Sequence, residues 1–428
     1  MKPLLLFFGC LVGGAFLSQA QTGSPSPLVE HAQSHPAGDA VFSFDPSAWS
    51  GETRHLPIGM FDSGIGGLTV LEAVLKLDAW HNDTLQPGAD GKPDFAHERF
   101  IYFGDQANMP YGNYPAADKT PYLRELILKD AVFLLGKRFH PAAGQPPVLT
   151  KPPVKAIVIA CNTATAYGLQ DIREAIAAWG IPVIVVGVVE AGARGVLESK
   201  ASADDAIAVL ATVGTCSSGA WPKAISSTLG RAGRKVPAIV QQGSAELAGV
   251  IEGNLAFPGT AAETALRDVR SLLETHLKNG SSQPLRTVVL GCTHFPLVRL
   301  EIESAFTTLQ QDPRYQKLTS APRTYIDPSE WTARELFREL AQARLRLKEG
   351  ESCVLPSDRF FLSVPNPVSP GLKLSPEGAL EHNYKYGRHP GELDREDTVN
   401  IPLTTATLPS SSATLVKEKL PLVWQRLK

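Results

Sequence analysis

The chain has 428 residues, of which 43% are hydrophobic and 20% charged, which is typical of a globular protein with room for two domains. Its formal net charge is −2, with 41 Lys and Arg residues against 43 Asp and Glu residues. This balance provides no basic patch for nucleic acid or for an anionic membrane surface, so we expect neither as a partner.

The N-terminus has the pattern of a secretory signal peptide. Lys2 precedes the apolar run 4–17, and small residues lead up to Ala20. The run is too short for a comfortable transmembrane helix. We therefore expect cleavage near Ala20, removal of residues 1–20, and export to the periplasm of a mature chain without a transmembrane span. A lipid anchor on Cys10 is disfavoured, because few residues precede that cysteine.

The rest of the chain predicts an α/β fold. Residues 21–55 are rich in Ser, Pro, Gly and His and predict a loosely ordered linker. Short apolar runs then alternate with amphipathic stretches, which favours parallel sheets. The predicted strands are 56–61, 99–103, 156–160, 183–186, 206–213, 238–241, 287–290 and 324–326, and the predicted helices are 68–77, 122–138, 164–179, 260–277 and 332–345. Beyond residue 347 the periodicity fades, so we expect an extended tail with a short helix near 415–420.

A glycine-rich turn follows the first predicted strand. Its sequence, Asp62-Ser-Gly-Ile-Gly-Gly, precedes a helix, so its backbone N–H groups are placed to bind an anion. The run Gly64-x-Gly66-x-x-Thr69 lacks the third glycine of a dinucleotide fingerprint. A plain strand-to-helix turn is the alternative.

A second loop follows the next predicted strand. Tyr102-Phe-Gly-Asp ends that strand, and the loop continues into Met109-Pro-Tyr-Gly. Ligands of open α/β sheets bind outside the carboxyl ends of the strands. We therefore expect Tyr111 and Gly112 to form a second wall of one crevice, although the loop taken alone could be only a turn.

Two later segments share one pattern. Ile157-Val-Ile-Ala-Cys-Asn-Thr-Ala and Val288-Val-Leu-Gly-Cys-Thr-His are apolar runs that end in a cysteine followed by polar residues. Cys161 and Cys292 are 131 positions apart (292 − 161). The repeat predicts two similar half-structures, each of which presents one thiol at the end of a buried strand.

Both thiols are expected to be free and reactive. A helix start lowers the pKa of a nearby thiol from about 8.5. Asn162 and Thr163 are donors suited to a carboxylate, and His294 adds an acid/base group. A single buried cysteine is more often a small core residue, but two in the same context favour chemistry. The pairing of Cys216 and Cys353 stays open.

Other chemistries have little support in the sequence. Cys292 and His294 are potential metal ligands, but there is no CxxC pair and no HExxH motif, so no metal is expected. A serine hydrolase is disfavoured because no Gly-x-Ser-x-Gly elbow occurs.

Together these motifs resemble the glutamate racemase branch of the aspartate/glutamate racemase family. The matching segments keep the family's order from about residue 58 to about residue 345: Asp62-Ser-Gly-Ile-Gly-Gly, Tyr102-Phe-Gly-Asp with Pro110-Tyr-Gly, Ala160-Cys-Asn-Thr-Ala, Ala211-Thr-Val-Gly-Thr, Ile251-Glu, Gly291-Cys-Thr-His-Phe-Pro and Tyr325-Ile-Asp-Pro.

The resemblance implies a fold and a division into domains. It implies two pseudo-symmetric parallel-sheet α/β domains with the active site between them and no cofactor. We expect residues 56–187 and 309–346 to form the first domain, residues 188–308 the second, and residues 347–428 a C-terminal extension.

The resemblance also implies a reaction on a small amino-acid substrate. One of Cys161 and Cys292 would remove the α-proton as a thiolate while the other returns a proton from the opposite face. Asp62 would assist Cys161, and His294 and Glu252 would assist Cys292. The implied substrate-binding residues are Ser63, Tyr111, Gly112, Asn162, Thr163, Thr215 and Thr293.

Several alternatives stay open. The segment 242–252 lacks the cysteine-proline pair usual in the family, so the substrate could be aspartate or another amino acid rather than glutamate. A non-catalytic exported amino-acid-binding protein and a redox protein with paired thiols are further alternatives. The sequence leaves the oligomeric state undetermined, with a homodimer among the options.

Overall fold

The structure is a computed structural model that describes residues 26–199, 201–253, 257–408 and 410–427. The predicted signal peptide, its cleavage site near Ala20 and Cys10 lie outside the described residues.

The described residues form ten strands and fifteen α-helices. The strands are β1 Ile58–Asp62, β2 Phe100–Gly104, β3 Ala156–Ile159, β4 Ile184–Gly187, β5 Ala206–Thr212, β6 Ala238–Ser244, β7 Leu285–Gly291, β8 Thr324–Ile326, β9 Arg359–Pro365 and β10 Thr398–Pro402. The helices are α1 Pro27–Ser34, α2 Leu68–Lys76, α3 Asn113–Ala116, α4 Thr120–Leu135, α5 Asn162–Trp179, α6 Val188–Glu198, α7 Val213–Ser217, α8 Ala220–Arg231, α9 Leu247–Ile251, α10 Ala261–Lys278, α11 Arg299–Leu309, α12 Pro328–Gln342, α13 His382–Gly387, α14 Ser410–Lys419 and α15 Pro421–Arg426. Short 3-10 turns occupy Pro46–Trp49, Gln106–Asn108 and Phe295–Val298.

The strands form two sheets whose core strands have the same order. The first sheet runs β10-β9-β2-β1-β3-β4 and the second runs β6-β5-β7-β8. If β5, β6, β7 and β8 are matched to β1, β2, β3 and β4, both cores have the order 2-1-3-4, and all pairings within them are parallel. The predicted α/β class with two similar parallel-sheet halves is confirmed.

The equivalence of β3 and β7 explains the repeated cysteine motif. Both strands are buried along their whole length except at Arg286, so their sequences are apolar runs rather than alternating ones. Cys161 and Cys292 come shortly after them. The two thiols therefore occupy matching positions in the two halves.

The short strand β8 changes one predicted domain assignment. Residues 309–346 are expected from the sequence to belong to the first domain, but β8 pairs with β7 through Thr287↔Thr324 and Val289↔Ile326. It is the fourth strand of the second sheet, the counterpart of β4. The next helix, α12, packs on both α2 and α6 and so joins the two halves.

The C-terminal extension is not the extended tail that the prolines predict. Strand β9 pairs in parallel with β2, and β10 pairs antiparallel with β9, so the tail completes the first sheet. The run Phe360–Leu362 is buried, which supplies the physical reason. The predicted helix near 415–420 corresponds to α14, and the Glu72 carboxylate accepts a hydrogen bond of 2.9 Å from the Val423 N–H at the start of α15.

The predicted linker, residues 21–55, is also part of the fold from residue 26 onward. Helix α1 packs on α4 and α5 and buries Leu28 and Val29. Trp49 is 5% exposed, and its indole N–H donates a 3.0 Å hydrogen bond to the Val154 carbonyl. Because the apolar residues are scattered among prolines and glycines, the sequence shows no period that would reveal this packing.

One apolar core lies between the two sheets. It includes Met60 and Val158 of the first sheet together with Val209 and Val289 of the second. Two further cores cover the other faces of the sheets. Within the part of the chain that the structure describes, no helix is long and apolar enough to cross a membrane.

The packing of the N-terminal segment can be tested with Trp49→Ala. The substitution leaves a cavity beside Phe44 and removes the bond to Val154, so we expect the free energy of unfolding to fall by about 3–5 kcal/mol. Glu52→Ala, at a side chain 64% exposed, is the control and should change it by less than about 0.5 kcal/mol. Equal and small effects in denaturant titrations would mean that the segment is a linker after all.

Candidate active site

The first thiol belongs to Cys161, the N-cap residue of α5. Strand β3 ends two residues before Cys161. The Cys161 Sγ accepts a 3.4 Å hydrogen bond from the Ala164 N–H. The thiol donates in turn to Ser63 Oγ at 3.7 Å. Ser63 belongs to the glycine-rich turn after β1, so the two neighbouring strands bring these residues together.

The environment of Cys161 corrects the expectation of a lowered thiol pKa. Burial raises the pKa of Cys161 well above its usual value, and the nearby Asp62 carboxylate raises it further. Hydrogen bonds with the Ala164 N–H and with Ser63 lower the Cys161 pKa, but by less than burial and Asp62 raise it. The thiol is only 6% exposed, so desolvation of the thiolate outweighs the helix start.

Asp62 ends β1 and lies at the centre of the site. Its Oδ2 accepts a 2.6 Å hydrogen bond from the Gly67 N–H. Burial raises the pKa of Asp62, and the charge of His294 together with hydrogen bonds from Cys161 and the turn opposes that rise. Since Asp62 interacts with Cys161 of the first half and with His294 of the second, both halves share one electrostatic environment.

The second thiol belongs to a chain of three polar side chains. Cys292 Sγ lies 3.6 Å from His294 Nδ1, and His294 Nε2 lies 2.8 Å from Glu252 Oε1. Burial alone would lower the pKa of His294, but the Glu252 carboxylate and Cys292 raise it well above its usual value. The structure therefore places the His294 ring between a carboxylate and a thiol, and the pKa shift favours its charged form. Glu252 comes from the end of α9, forty-two positions before His294.

The two halves meet closely at the glycine-rich turn. A Cβ atom on Gly66 would lie 2.7 Å from Thr293 Oγ1 and closer still to the His294 ring, so only glycine fits there. The Thr69 hydroxyl donates a 2.9 Å hydrogen bond to the Thr293 carbonyl. Thr293 is thus held against the first half by backbone and side-chain contacts.

A second contact between the halves lies at Gly112. A Cβ atom on Gly214 would approach the Gly112 Cα to 2.5 Å, so the two backbones touch. Nearby, Thr163 Oγ1 lies 3.1 Å from Thr215 Oγ1, which in turn lies 3.0 Å from Thr212 Oγ1. Thr212 is not among the predicted residues, although it belongs to the same motif as Thr215.

Asn162 is a buried residue of this crevice whose side-chain amide lacks hydrogen-bond partners. The residue is 5% exposed, yet neither its Oδ1 nor its Nδ2 has a hydrogen-bond partner. An unpaired buried amide costs free energy, so such a group normally finds a partner. At the first turn of an eighteen-residue helix, an anionic group such as a carboxylate is the favoured partner of the Asn162 Nδ2 donor, whereas the Oδ1 acceptor needs a donor.

Tyr111, which the sequence predicts in the wall of the crevice, has a buried hydroxyl that contacts two carboxyl groups. The hydroxyl lies 2.6 Å from Asp105 Oδ2 and 2.6 Å from Asp130 Oδ2. A phenol has one proton, so one of the two carboxyl groups must carry a proton of its own. Burial and the charge of Asp105 raise the pKa of Asp130 well above its usual value, and the hydrogen bond with Tyr111 opposes that rise.

The described cysteines, Cys161, Cys216, Cys292 and Cys353, are all free. Among the described residues no group of three His, Cys, Asp or Glu side chains is arranged to hold a metal ion.

Comparison with known proteins places the chain in a family. The sequence model of the Asp/Glu/Hydantoin racemase family matches residues 140–336. The chain is also 30% identical over 294 residues to the glutamate racemase of Pediococcus pentosaceus, an alignment that covers 69% of this chain and 85% of that one. The chain belongs to the aspartate/glutamate racemase family. It is therefore an amino-acid racemase, and the crevice between its halves is the candidate active site.

Further similarities agree with this assignment. The racemase is 33% identical over 249 residues to the glutamate racemase of Enterococcus faecalis, over 58% of this chain and 70% of that one. Among solved structures, a glutamate racemase from Bacillus anthracis superposes with a TM-score of 0.50 at 25% identity, covering 72% of this chain and 89% of that one. The two-domain racemase fold is thus shared.

The link between Glu252 and His294 can be tested by Glu252→Gln. The raised pKa of His294 means that its proton stabilises the folded racemase below about pH 6.5, and this stability is lost as the pH rises through the folded-state value. Without the carboxylate we expect the His294 pKa to fall. The folded racemase should then lose less of its free energy of unfolding as the pH rises.

The measurement is an NMR titration of the His294 ring, with thermal unfolding as a function of pH. Glu246→Gln, whose partner is Arg267, is the matched control. An unchanged His294 titration in Glu252→Gln would show that the carboxylate does not hold the proton.

Proposed function

We propose that this racemase interconverts L- and D-glutamate through Cys161 and Cys292, without a cofactor. The observation that carries the proposal is the pair of buried thiols at equivalent strand ends, with Asp62 near Cys161 and His294 beside Cys292. The names of the relatives support glutamate as the substrate. The altered segment 242–252 makes aspartate the second candidate.

In the proposed reaction the substrate lies between the two thiols. A Cys292 thiolate, stabilised by the His294 imidazolium, removes the α-proton from one face. The electron pair left on the α-carbon delocalises into the carboxylate. The Cys161 thiol then gives its proton to the opposite face, so the product has the inverted configuration and each cysteine has exchanged its protonation state.

The polar partners restore the starting state in this proposal. Cys161, left as a thiolate, regains a proton and Cys292 gives one up. Asp62 lies beside Cys161 and has a raised pKa, so it is a proton donor suited to that step. At Cys292, the His294 imidazolium releases a proton to solvent, and the neutral ring then takes the Cys292 proton at Nδ1, which restores the imidazolium that Glu252 stabilises.

Substrate binding in this proposal uses the unpaired groups of the crevice. The α-carboxylate would lie at the start of α5, where the Asn162 amide lacks a partner. Ser63, Thr163, Thr215 and Thr293 would supply hydroxyl groups, and the Gly112 backbone would close the site. The Tyr111 hydroxyl has no direct role, because it is engaged by Asp105 and Asp130.

The proposal is tested by α-proton exchange in deuterated water under reducing conditions. Each enantiomer of glutamate and aspartate is offered to the wild-type protein and to Cys161→Ala, Cys292→Ala and Cys216→Ala. We expect deuterium uptake with inversion on glutamate, a loss of about 10²- to 10⁴-fold in the first two variants, and none in the third, whose thiol lies in α7.

The outcomes separate the alternatives. Faster exchange on aspartate than on glutamate would identify aspartate as the substrate. Retention of exchange in both cysteine variants would exclude the two-thiol mechanism. Tight binding without exchange on any acid would favour a binding protein.

We also propose that the racemase is exported to the periplasm and acts on amino acids there. The support is the pattern of residues 1–20, a basic start followed by an apolar run and small residues.

Expressed in a Gram-negative host, the wild-type protein should appear in the periplasm with Gln21 as its first residue by mass spectrometry. Leu11→Arg, which breaks the apolar run, should stay inside with Met1 retained. Cytoplasmic wild-type protein with an intact N-terminus would contradict export.

A further inference from the structure

The loop between β2 and α3 forms one wall of the active site. We define this wall loop as residues 105–112. At one end Gly112 touches Gly214 of the second half. Near its middle, Met109 and Gln106 pack against Gly64, where an added Cβ atom would lie 2.7 Å and 2.9 Å from their side chains. A displacement of the wall loop would therefore alter the contacts at both Gly64 and Gly214.

The wall loop has few backbone hydrogen bonds of its own. It contains one 3-10 turn, Gln106–Asn108, and its internal bonds are Asn108 N–H to Asp105 at 3.1 Å and Met109 N–H to Gln106 at 3.3 Å. Fixing such a segment requires contacts from outside, because ordering each residue costs conformational entropy.

The first outside contact comes from strand β9 of the C-terminal extension. Ser363 comes directly after Leu362, the last residue of β9 paired with β2. Its hydroxyl donates a 2.6 Å hydrogen bond to Asp105 Oδ1 and accepts a 2.9 Å bond from the Ala107 N–H. The side chain thus joins two positions at the start of the wall loop, in a place that is 2% exposed.

Two further contacts come from α13 and the residue after it. Arg388 donates from Nη2 to Asn108 Oδ1 at 2.5 Å, and its guanidinium lies 5.0 Å from the Tyr122 ring centroid. Lys385 Nζ donates a 2.8 Å bond to the Met109 carbonyl. The Arg388 side chain is 7% exposed, so both the charge and its hydrogen bond are shielded from water.

These contacts converge on the group that anchors Tyr111. Asp105 accepts from Ser363 and, at 2.8 Å, from the Asn108 amide, and it accepts from the Tyr111 hydroxyl through its other oxygen. Tyr111 is adjacent to Gly112, which touches the second half. A continuous chain of hydrogen bonds therefore leads from the C-terminal extension to the wall of the active site.

We propose that Ser363, Lys385 and Arg388 of the C-terminal extension are positioning residues of the active site, which hold the wall loop in the place where the substrate meets it. These residues lie beyond position 336, where the match to the family model ends. The part of the inference that concerns the substrate rests on the proposed function. The part that concerns the wall loop rests on the contacts alone.

The experiment compares Arg388→Gln and Ser363→Ala with the wild-type protein in two measurements. In racemisation assays we expect KM to rise about tenfold while kcat stays within about threefold, since binding surface is displaced and both thiols keep their partners. In hydrogen exchange detected by mass spectrometry, we expect faster exchange in peptides that cover residues 105–112. Arg388→Lys keeps the charge and a donor and should restore most of the effect.

Arg426→Gln is the matched control. Arg426 also belongs to the extension and forms a 2.7 Å ion pair, but its partner Asp358 precedes β9, whereas Ser363 lies near the end of that strand. We expect unchanged KM and unchanged exchange in the wall loop. Ser363→Ala removes a single hydroxyl group, so the test keeps a well-folded variant even if Arg388→Gln unfolds.

The two readouts separate the two proposals. Wild-type KM together with wild-type exchange of residues 105–112 in both variants would overturn the positioning role. If the wild-type protein racemises no acid, the proposed function fails, and hydrogen exchange alone then decides whether the extension holds the wall loop.

Discussion

The buried His294 ring, held between the Glu252 carboxylate and the Cys292 thiol, is the interaction on which the active site depends. Charges taken out of water need partners, and His294 has two of them in Glu252 and Cys292. A second full ion pair in the same crevice would add a further desolvation cost. Burial instead raises the pKa of Asp62 and of Cys161, so these groups favour their neutral forms. The pKa shifts of the two halves therefore differ, because they favour the charged form of His294 and the neutral forms of Asp62 and Cys161.

This asymmetry arises within a symmetric framework. The strands β3 and β7 hold equivalent places in sheets whose core strands have the same order. Each cysteine therefore lies just beyond the end of an equivalent strand. The segments after the two cysteines differ, because Cys161 caps a long helix directly, whereas Cys292 precedes His294 and a short 3-10 turn. The proposed two-thiol reaction needs one base and one acid at any moment, and the unlike surroundings of the two cysteines fit that requirement.

The sequence predicts the parts of this structure that depend on local pattern. The eight expected strands are apolar runs, and all eight are present, because a strand in a buried parallel sheet needs such a run. Features that depend on distant residues could not be predicted. The Tyr111 hydroxyl is engaged by Asp130, which lies nineteen positions later in the chain. The helix start at Cys161 is visible in the local pattern, but the desolvation that dominates its pKa depends on packing of the whole site.

The first sheet is assembled from strands that are far apart in the chain. Strand β2 ends at Gly104, and its outer neighbour β9 begins at Arg359. Until synthesis has passed β9, the edge of β2 has no partner, and until it has passed β10 the sheet is incomplete. An open edge of this kind invites pairing with other chains. Ribosomal synthesis therefore reaches both cysteines well before the protein can finish its first half, and a polypeptide that stops short of residue 359 would carry both thiols on an unfinished, aggregation-prone sheet.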